Sequence, residues 1–293
     1  MARTLLTDGR IIDPAENKII ENGLLTLLHG NHAPDSIGYC GDRDAPEVDG
    51  FERSLGKDDF VLSLEGATLL PGLIDVQTEL FLSGDKNVPQ STLVAYRRAA
   101  EMLSRGITSI GASADRFGIV QTLAESSEKF FLWMPMIVLM GETGYSPAYC
   151  LFRGLPEKGS EMEQRWLEQA NKACMLGMKP VLSSMNEPVC QQDGSLTLVR
   201  MSELLVDGGF SHMEALQALT SNAAEVLGIS SRNGRLAKGF EGDIIAVKGN
   251  PLEKISDLNN CVMSARGGRL IRSGLSGLKK SNFNLLPPGY DFN

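Results

Sequence analysis

Acidic side chains follow three of the apolar segments in this sequence, and they are the best candidates for acid–base chemistry. Glu79 follows the apolar run 68–76, Asp115 follows the run 107–110, and Glu142 follows a run that ends at residue 140. A carboxyl group transfers protons efficiently when a pocket brings its pKa near the working pH. A solvated or hydrogen-bonded carboxylate at the end of a strand or in a loop is the simpler alternative for each residue.

Polar side chains near these carboxylates are candidates for substrate binding. Gln77 lies two residues before Glu79, so both side chains fall on one face of a strand. Arg116 adjoins Asp115, and Asn186 follows the apolar run 179–184. A plain loop ion pair or a solvated turn is the alternative for Asp115 and Arg116.

Histidines are scarce, which limits the metal chemistry that this chain can support. The sequence has three, of which His29 and His32 fall in a segment rich in Gly, Asp and Pro, and His212 falls near a helix start. Its five cysteines are widely spaced and include no C-x-x-C pair, so neither a zinc knuckle nor a disulfide framework is indicated. We therefore predict no metal ligands, no cofactor and reduced thiols.

Composition excludes several classes of partner. The 293 residues carry a formal net charge of -8 and contain no cluster of Lys and Arg, which argues against nucleic acid as a partner. No apolar stretch approaches the ~18 residues that a membrane span needs, which argues against a membrane. The first residues lack the uninterrupted apolar region of a signal peptide, so we expect a cytoplasmic protein.

The middle of the chain has the pattern of a parallel α/β structure. Continuous apolar runs at 68–76, 107–110, 130–140 and 179–184 predict strands that are buried on both faces. Apolar residues at helical spacing predict helices at 91–104, 161–176, 198–206 and 211–227. The last of these opens with Ser211 and Glu214, the spacing of a capping box.

Both ends of the chain are predicted to be β-structure. Residues 4–7 and 10–12 flank Asp8-Gly9, which predicts a hairpin, and residues 29–57 resemble an exposed insertion. Further short strands are predicted at 242–247, 261–265 and 269–271, before a Gly- and Pro-rich tail at 274–293. We predict a composite β-domain of residues 1–67 plus 232–293 around an α/β domain of residues 68–231.

Three segments in this order resemble the metal-dependent amidohydrolase superfamily, in particular its imidazolonepropionase and Xaa-Pro dipeptidase-like branch. They are LLPGLIDVQTEL at 69–80, SHMEAL with TSNAAEVLG within 211–228, and GRLAKGFEGDIIAV with GNPL within 234–252. The resemblance implies a (β/α)₈ barrel with a β-sandwich built from both chain ends. Such a barrel needs about 250 residues.

The resemblance also implies that this barrel is reduced, since only about 130 residues separate Pro71 from the helix at residue 198. Residues 107–110 resemble the second strand of the superfamily, whereas 133–137 and 177–184 resemble its seventh and eighth. The fold class is therefore α/β, with an incomplete TIM-type barrel that lacks strands three to six. In another register, Lys179 would take the place of the carboxylated fourth-strand lysine.

The metal ligands of the superfamily are missing from the matching positions. Gln77 and Glu79 stand where its first strand has H-x-H, and Met185 stands where its eighth strand has an aspartate that binds metal and accepts a proton from water. An amide is a poor ligand for transition metals, and a thioether contributes no charge. By resemblance the chain is a hydrolase of carbon–nitrogen bonds, but the missing ligands leave open whether any catalysis remains.

Two functions are compatible with these observations. The first is a degenerate amidohydrolase, a pseudoenzyme that binds a small molecule or serves a partner. The second is an enzyme that uses Glu79, with Asp115 or Glu142, for metal-free acid–base chemistry such as hydrolysis, isomerisation, dehydration or cyclisation. An open barrel has edge strands that tend to pair elsewhere. We expect residues 141–159, the C-terminal tail, or a second subunit to cover them, and so predict a homo-oligomer or a partner subunit.

Overall fold

A computed structural model gives the fold of the chain and describes residues 2–30, 34–46, 48, 55–80, 88–113, 118–129, 134–140, 146 and 148–275. The strands are β1 (Arg3–Asp13), β2 (Lys18–Leu28), β3 (Ser36–Asp42), β4 (Phe60–Ser63), β5 (Thr68–Pro71), β6 (Leu73–Thr78), β7 (Ile107–Ser113), β8 (Met136–Met140), β9 (Tyr149–Arg153), β10 (Lys179–Ser183), β11 (Ile244–Val247), β12 (Cys261–Arg266) and β13 (Arg269–Ser273). The helices are α1 (Val88–Ser104), α2 (Ile119–Lys129), α3 (Glu161–Met175), α4 (Thr197–Asp207), α5 (His212–Ala218) and α6 (Ser221–Val226), with 3-10 turns at Pro14–Glu16 and Ile255–Asn259. The predicted α/β class is confirmed.

Strands from both ends of the chain form one eight-stranded sheet. Its order is β13-β12-β11-β5-β1-β2-β3, and β4 pairs in parallel with β1. Alternating apolar residues such as Leu6, Leu25 and Ile244 form a buried cluster on this sheet. Strand β5, which we assigned to the α/β part, pairs with β1 and β11 and so belongs to this sheet. The division of the chain into two domains stays a prediction.

Five parallel strands lie in the order β9-β10-β6-β7-β8. Strands β6, β7 and β8 form one parallel sheet, β9 and β10 form another, and a parallel bridge between Thr78 and Met185 connects β6 to the end of β10. Ile74, Val76 and Val181 pack with Ala223 and Ala224 of α6, on what we call the inner face.

The opposite face of the parallel strands, called the outer face here, packs against helices. Leu73, Ile110 and Leu182 belong to a large buried cluster that includes Ala95 and Ala99 of α1. Full burial of each such leucine or isoleucine stabilises the fold by about 1.5–3 kcal/mol. Strands β6, β7 and β10 are buried on both faces along most of their length, as their continuous apolar sequences predict.

Two predictions for the N-terminal β-structure were wrong. Asp8-Gly9 is not a hairpin turn, because β1 runs through it with register shifts against β2 and a φ of 59° at Asp8, the pattern of a bulge. The predicted insertion at 29–57 contains β3, which pairs along β2. In both places the long strand β2 supplies a partner that local sequence does not reveal.

The assignment of residues 133–137 to the seventh barrel strand was also wrong. Met136 and Ile137 begin β8, which pairs in parallel with β7 and therefore occupies the position of a third strand. The neighbour of β10 is β9, which lies within residues 141–159, a segment that we expected to cover an edge rather than form one.

The predicted helix at 211–227 is divided into α5 and α6. The Leu219 carbonyl accepts a hydrogen bond from the backbone N–H of Ile74 at 2.8 Å, and the Thr220 hydroxyl donates to the Leu216 carbonyl at 2.7 Å. The backbone of Thr220 leaves the helical region at φ -134° and ψ -93°. The predicted capping box of Ser211 and Glu214 is confirmed.

Within the described residues, no helix is both long enough and apolar enough to cross a membrane.

Candidate active site

The carboxyl ends of β6 and β10 lie side by side and bring the candidate residues together. The backbone N–H of Met185 donates to the Gln77 carbonyl at 3.0 Å, and the backbone N–H of Glu79 donates to the Met185 carbonyl at 2.8 Å. The Ser183 hydroxyl also donates to the Gln77 carbonyl, at 2.8 Å. These bonds hold residues 77–79 against 183–185.

A bulge in β6 determines which way Gln77 and Glu79 face. Against β7, Asp75 pairs with Ile110 but Thr78 pairs with Ala112, so β6 has one extra residue between them. In a regular strand, residues 75 and 78 would lie on opposite faces. Here the hydroxyl of one residue, Ser184, contacts both the Asp75 carboxylate and the Thr78 hydroxyl. The bulge has therefore reversed the alternation.

The direction of the side chains follows from the residues on either side of the bulge. Asp75 lies between Ile74 and Val76, which pack on the inner face, so Asp75 faces outward. Thr78 shares the partner of Asp75 and faces outward too. Gln77 and Glu79 thus face inward, at the carboxyl end of the strands, and both are half-buried.

The Asp75 carboxylate stabilises this bulge. Its Oδ1 accepts hydrogen bonds from the backbone N–H of Gln77 at 3.2 Å and of Ser184 at 3.1 Å, and its Oδ2 accepts from the Ser184 hydroxyl. The bulge leaves the Gln77 N–H without its ladder partner, and the carboxylate replaces that partner. Asp75 thus fixes the strand that carries Gln77 and Glu79.

Burial controls the ionisation of Asp75. Its side chain is completely buried, and burial raises its pKa from 3.8 to about 6, although the bonds from Ser184 and Gln77 and the nearby charge of Arg98 act in the opposite direction. Arg98 extends from α1 and donates to the Glu187 carbonyl. Burial lowers the pKa of Arg98, and the charges of Asp75, Glu101, Glu79 and Glu187 oppose that shift.

The turn after β10 completes the site. Met185 has a φ of 54°, in the left-handed region that side chains other than glycine rarely adopt. The backbone N–H of Glu187 donates to the Ser184 carbonyl at 3.0 Å, and Asn186 is exposed between them.

Comparison with known proteins agrees with this architecture. Residues 154–270 match the amidohydrolase family. A crystal structure of a Xaa-Pro dipeptidase with bound methionine in the active site superposes with a TM-score of 0.71 and 15% identity, over 92% of this chain and 100% of that chain. The chain has an amidohydrolase fold, which is the fold that the sequence resemblance implies.

Two further solved structures extend the likeness. Molinate hydrolase superposes with a TM-score of 0.70 and 12% identity, over 92% of this chain and 94% of that chain. Ochratoxinase from A. niger superposes with a TM-score of 0.65 and 14% identity, over 93% of this chain and 96% of that chain. No curated protein sequence matches this chain significantly.

The donor set at this site does not fit the divalent metal that the superfamily implies. At the two positions where the superfamily motif has H-x-H, this chain has the Gln77 amide and the Glu79 carboxylate. Both lie on the inner face, and Met185 follows β10. Asp75, the nearest buried carboxylate, faces outward and is engaged by Ser184 and Gln77. Among the described residues, no group of three or more His, Cys, Asp and Glu side chains is arranged to hold a metal ion.

The described histidines and the alternative lysine lie elsewhere. His29 contacts Asp35 at 2.5 Å and Thr4 at 2.7 Å in the eight-stranded sheet, and His212 is the first residue of α5. Lys179 begins β10, at the opposite end of the strand from Met185, and pairs with Glu225 at 3.3 Å. The register that would make Lys179 a metal-site lysine was therefore wrong.

The structure brings together part of the predicted site. Gln77 and Glu79 share the inner face at the end of β6, and Asn186 follows β10 nearby. Asp115, Arg116 and Glu142 lie outside the described residues, so their roles stay predictions.

Sequence reasoning missed the groups that support this site. The Asp75–Ser184 contact joins residues 109 positions apart, and Arg98 reaches the loop after β10 from α1. The buried aspartate is visible within the motif GLIDVQ, but its partners are determined by strand order.

Proposed function

We propose that this chain is an amidohydrolase-fold protein that has lost metal-dependent hydrolysis of carbon–nitrogen bonds and serves as a small-molecule-binding or partner protein. One observation carries the proposal: the bulge presents Gln77 and Glu79 on the inner face, where the superfamily presents two imidazoles. A hydrolytic metal works by lowering the pKa of its bound water, which requires several ligands that hold the ion in place. One carboxylate beside an amide and the thioether of Met185 is a weak ligand set.

The small number of described parallel strands supports the same proposal. The described parallel strands are five, in the order β9-β10-β6-β7-β8, and the composite sheet is built from both chain ends. In superfamily members, further ligands come from strands between the third and the seventh. Loss of those strands would remove the remaining ligands together with their scaffold.

Metal-free acid–base catalysis is a second candidate, and the position of Glu79 favours it. Glu79 directly follows β6, and it is the one carboxylate among the described residues 73–80 that the bulge directs to the inner face; it is half-buried. A half-buried carboxyl group at the strand ends is suited to act as a general acid or base. In this case Glu79→Gln abolishes turnover, whereas Asn186→Ala, in the exposed turn beside it, does not.

Metal content tests the main proposal. Elemental analysis of the purified protein should give well under one equivalent of zinc or manganese per chain, and titration with zinc should show no tight binding. The variant Gln77→His/Glu79→His/Met185→Asp restores the superfamily ligands at three positions and is expected to bind zinc more tightly than the wild type.

A matched control separates the site from adventitious surface binding. The variant Arg165→His/Glu161→His adds two imidazoles one helical turn apart on exposed α3. It reports the affinity gained by any histidine pair. About one tightly bound metal per wild-type chain, together with amidase activity that chelation abolishes, would overturn the proposal.

A further inference from the structure

The inner face of the parallel strands is covered more completely at one end than at the other. Helix α6 covers it through Ala223, which packs on Ile74, and the side-chain amide of Asn222 donates to the Pro180 carbonyl at 3.0 Å. Leu151 of β9 and Val138 of β8, farther along their strands, are only half-buried. An apolar surface is thus accessible between α6 and the carboxyl ends of the strands.

An arginine that sequence reasoning missed faces the same side. Leu151 pairs with Val181, and both pack on the inner face. Two residues farther along, Arg153 pairs with Ser183 in the same register, so both face inward as well. Arg153 is exposed at the carboxyl end of β9. The inner face therefore has a positive charge at the end of β9 and the negative charge of Glu79 beyond β6.

The polar groups at this end of the strands are available to a ligand. Within the described part of the chain, the guanidinium of Arg153, the carboxylate of Glu79 and the side-chain amide of Gln77 make no hydrogen bond or ion pair. The charge of Glu79 acts on Arg98, but these two described residues form no ion pair with each other. A guanidinium binds a carboxylate through two parallel hydrogen bonds, and a carboxylate accepts strong hydrogen bonds from an ammonium group.

The ligand that fits these groups carries both charges. We propose that the inner face binds a small zwitterion whose carboxylate and ammonium groups stand at the two ends of an aliphatic chain, as in an ω-amino acid. Arg153 binds the carboxylate, Glu79 binds the ammonium group, and the chain lies over Leu151 and Val138. This inference rests on the proposed function, because it assigns a ligand to a site that works without a metal.

The spacing of the two charges favours a long zwitterion over an α-amino acid. Arg153 and Gln77 are separated by β10, so their backbones are two strand spacings, about 10 Å, apart. Glu79 lies two residues beyond Gln77, roughly 6 Å farther along the strand. An α-amino acid has its ammonium and carboxylate groups on the same carbon atom and does not reach both side chains.

The apolar surface favours methylene groups over a peptide group in the chain of the ligand. A peptide group would place its N–H and C=O against Leu151 and Val138, whose side chains offer no hydrogen bond. Burial of such groups without a partner is unfavourable. Gln77, on the same strand as Glu79, offers its amide oxygen to the ammonium end instead.

Calorimetric titration with matched ligands tests the spacing. ε-Aminocaproate and norleucine are isomers with the same two charges, and they differ only in the position of the amino group. We expect ε-aminocaproate to bind at least about tenfold more tightly than norleucine, and than caproate or hexylamine, each of which lacks one charge. No binding of ε-aminocaproate at millimolar concentration, or equal binding of norleucine, would overturn the proposal.

A fifth ligand tests the aliphatic chain. Glycyl-β-alanine has as many chain atoms between its charges as ε-aminocaproate, but it contains a peptide group. It should bind less tightly, and binding as tight as that of ε-aminocaproate would overturn the assignment of an aliphatic ligand.

Two variants assign the ends of the ligand. Arg153→Gln should remove the advantage of ε-aminocaproate over hexylamine, whereas Glu79→Gln should remove its advantage over caproate. Arg165→Gln, on the exposed side of α3, should leave every affinity unchanged. Thermal unfolding checks that each variant is folded. Wild-type affinity for ε-aminocaproate in folded Arg153→Gln would contradict the proposed site.

Titration in the presence of a chelator keeps this test separate from that of the proposed function. If ε-aminocaproate fails to bind a protein that contains no metal, the ligand assignment is wrong and the proposed function stands. If the purified protein holds about one metal per chain and has amidase activity that the chelator abolishes, the proposed function itself is wrong.

Discussion

Two buried aspartates in different regions of this protein have similarly raised pKa values but hold different parts of the fold in place. Asp243 lies just before β11, at the junction of the eight-stranded sheet with β6 and β7, and Asp75 lies in the bulge of β6. Burial raises the pKa of each from 3.8 to about 6. Asp243 is balanced chiefly by the charge of Arg266, whereas Asp75 is balanced chiefly by hydrogen bonds from Ser184.

The partners of the two carboxylates show what each one holds in place. Asp243 accepts hydrogen bonds from Asn233 at 3.0 Å and from the backbone N–H of Gly267 at 2.6 Å, so it joins segments of the composite sheet. Asp75 holds the bulge that directs Gln77 and Glu79 to the inner face. The comparison teaches that one buried aspartate fastens the composite sheet, whereas the other fixes a strand end that carries candidate site residues.

The largest expected effect is a difference in the free energy of unfolding that is lost when each aspartate is replaced by alanine. Asp243→Ala leaves the Asn233 amide and the Gly267 N–H without their acceptor and removes the charge that opposes the buried Arg266. It should reduce the free energy of unfolding by about 3–5 kcal/mol. Asp75→Ala leaves Ser184 and the Gln77 N–H unsatisfied and should cost about 2–3 kcal/mol. Urea unfolding measures both losses. Equal losses, or a larger loss for Asp75→Ala, would contradict the conclusion that a charge balances Asp243 whereas hydrogen bonds balance Asp75.

The dependence of stability on pH should reveal the raised pKa of Asp75. Between its unfolded value near 3.8 and its folded value of about 6, the folded state binds more protons than the unfolded state, so stability falls as the pH rises. Relative to Asp75→Asn, which does not titrate, the wild type should lose up to about 3 kcal/mol between pH 4 and pH 7. Urea unfolding at each pH unit measures this difference.

Asp243→Asn provides the comparison for the pH experiment. Because the pKa of Asp243 is raised in the same direction, the wild type should show the same fall in stability relative to Asp243→Asn in the same pH window. A pH-independent difference between the wild type and Asp75→Asn would show that this carboxyl has an ordinary pKa.

The smallest expected effect concerns the turn after β10. Met185→Gly relieves the cost of a positive φ at a residue with a β-carbon, and should stabilise the fold by up to about 1 kcal/mol. Asn186→Gly, at a neighbouring position without a positive φ, should not stabilise it. Thermal unfolding of both variants measures the difference, and a destabilised Met185→Gly would imply that the Met185 side chain contributes more by packing than the strain costs.

Local sequence predicted elements whose signals are complete within a short segment. The capping box of Ser211 and Glu214 lies within four residues, so the sequence alone predicts the start of this helix. The buried strand at 107–110 is evident from its unbroken apolar run. The motif at 69–80 contributed to the resemblance that predicted the fold. Predictions of features that depend on distant partners were wrong or missing. The positions of β8 and β9 in the order of parallel strands are examples.

The sequence by itself determined which side chains are available for chemistry: three histidines, a glutamine and a glutamate in place of an imidazole pair, and an aspartate two residues before them. Only the tertiary structure decided where they face. A β-strand alternates its side chains, and a single extra residue reverses that alternation. The extra residue in β6 is stabilised by Ser184, which the chain supplies 109 positions later, so no local pattern reveals it.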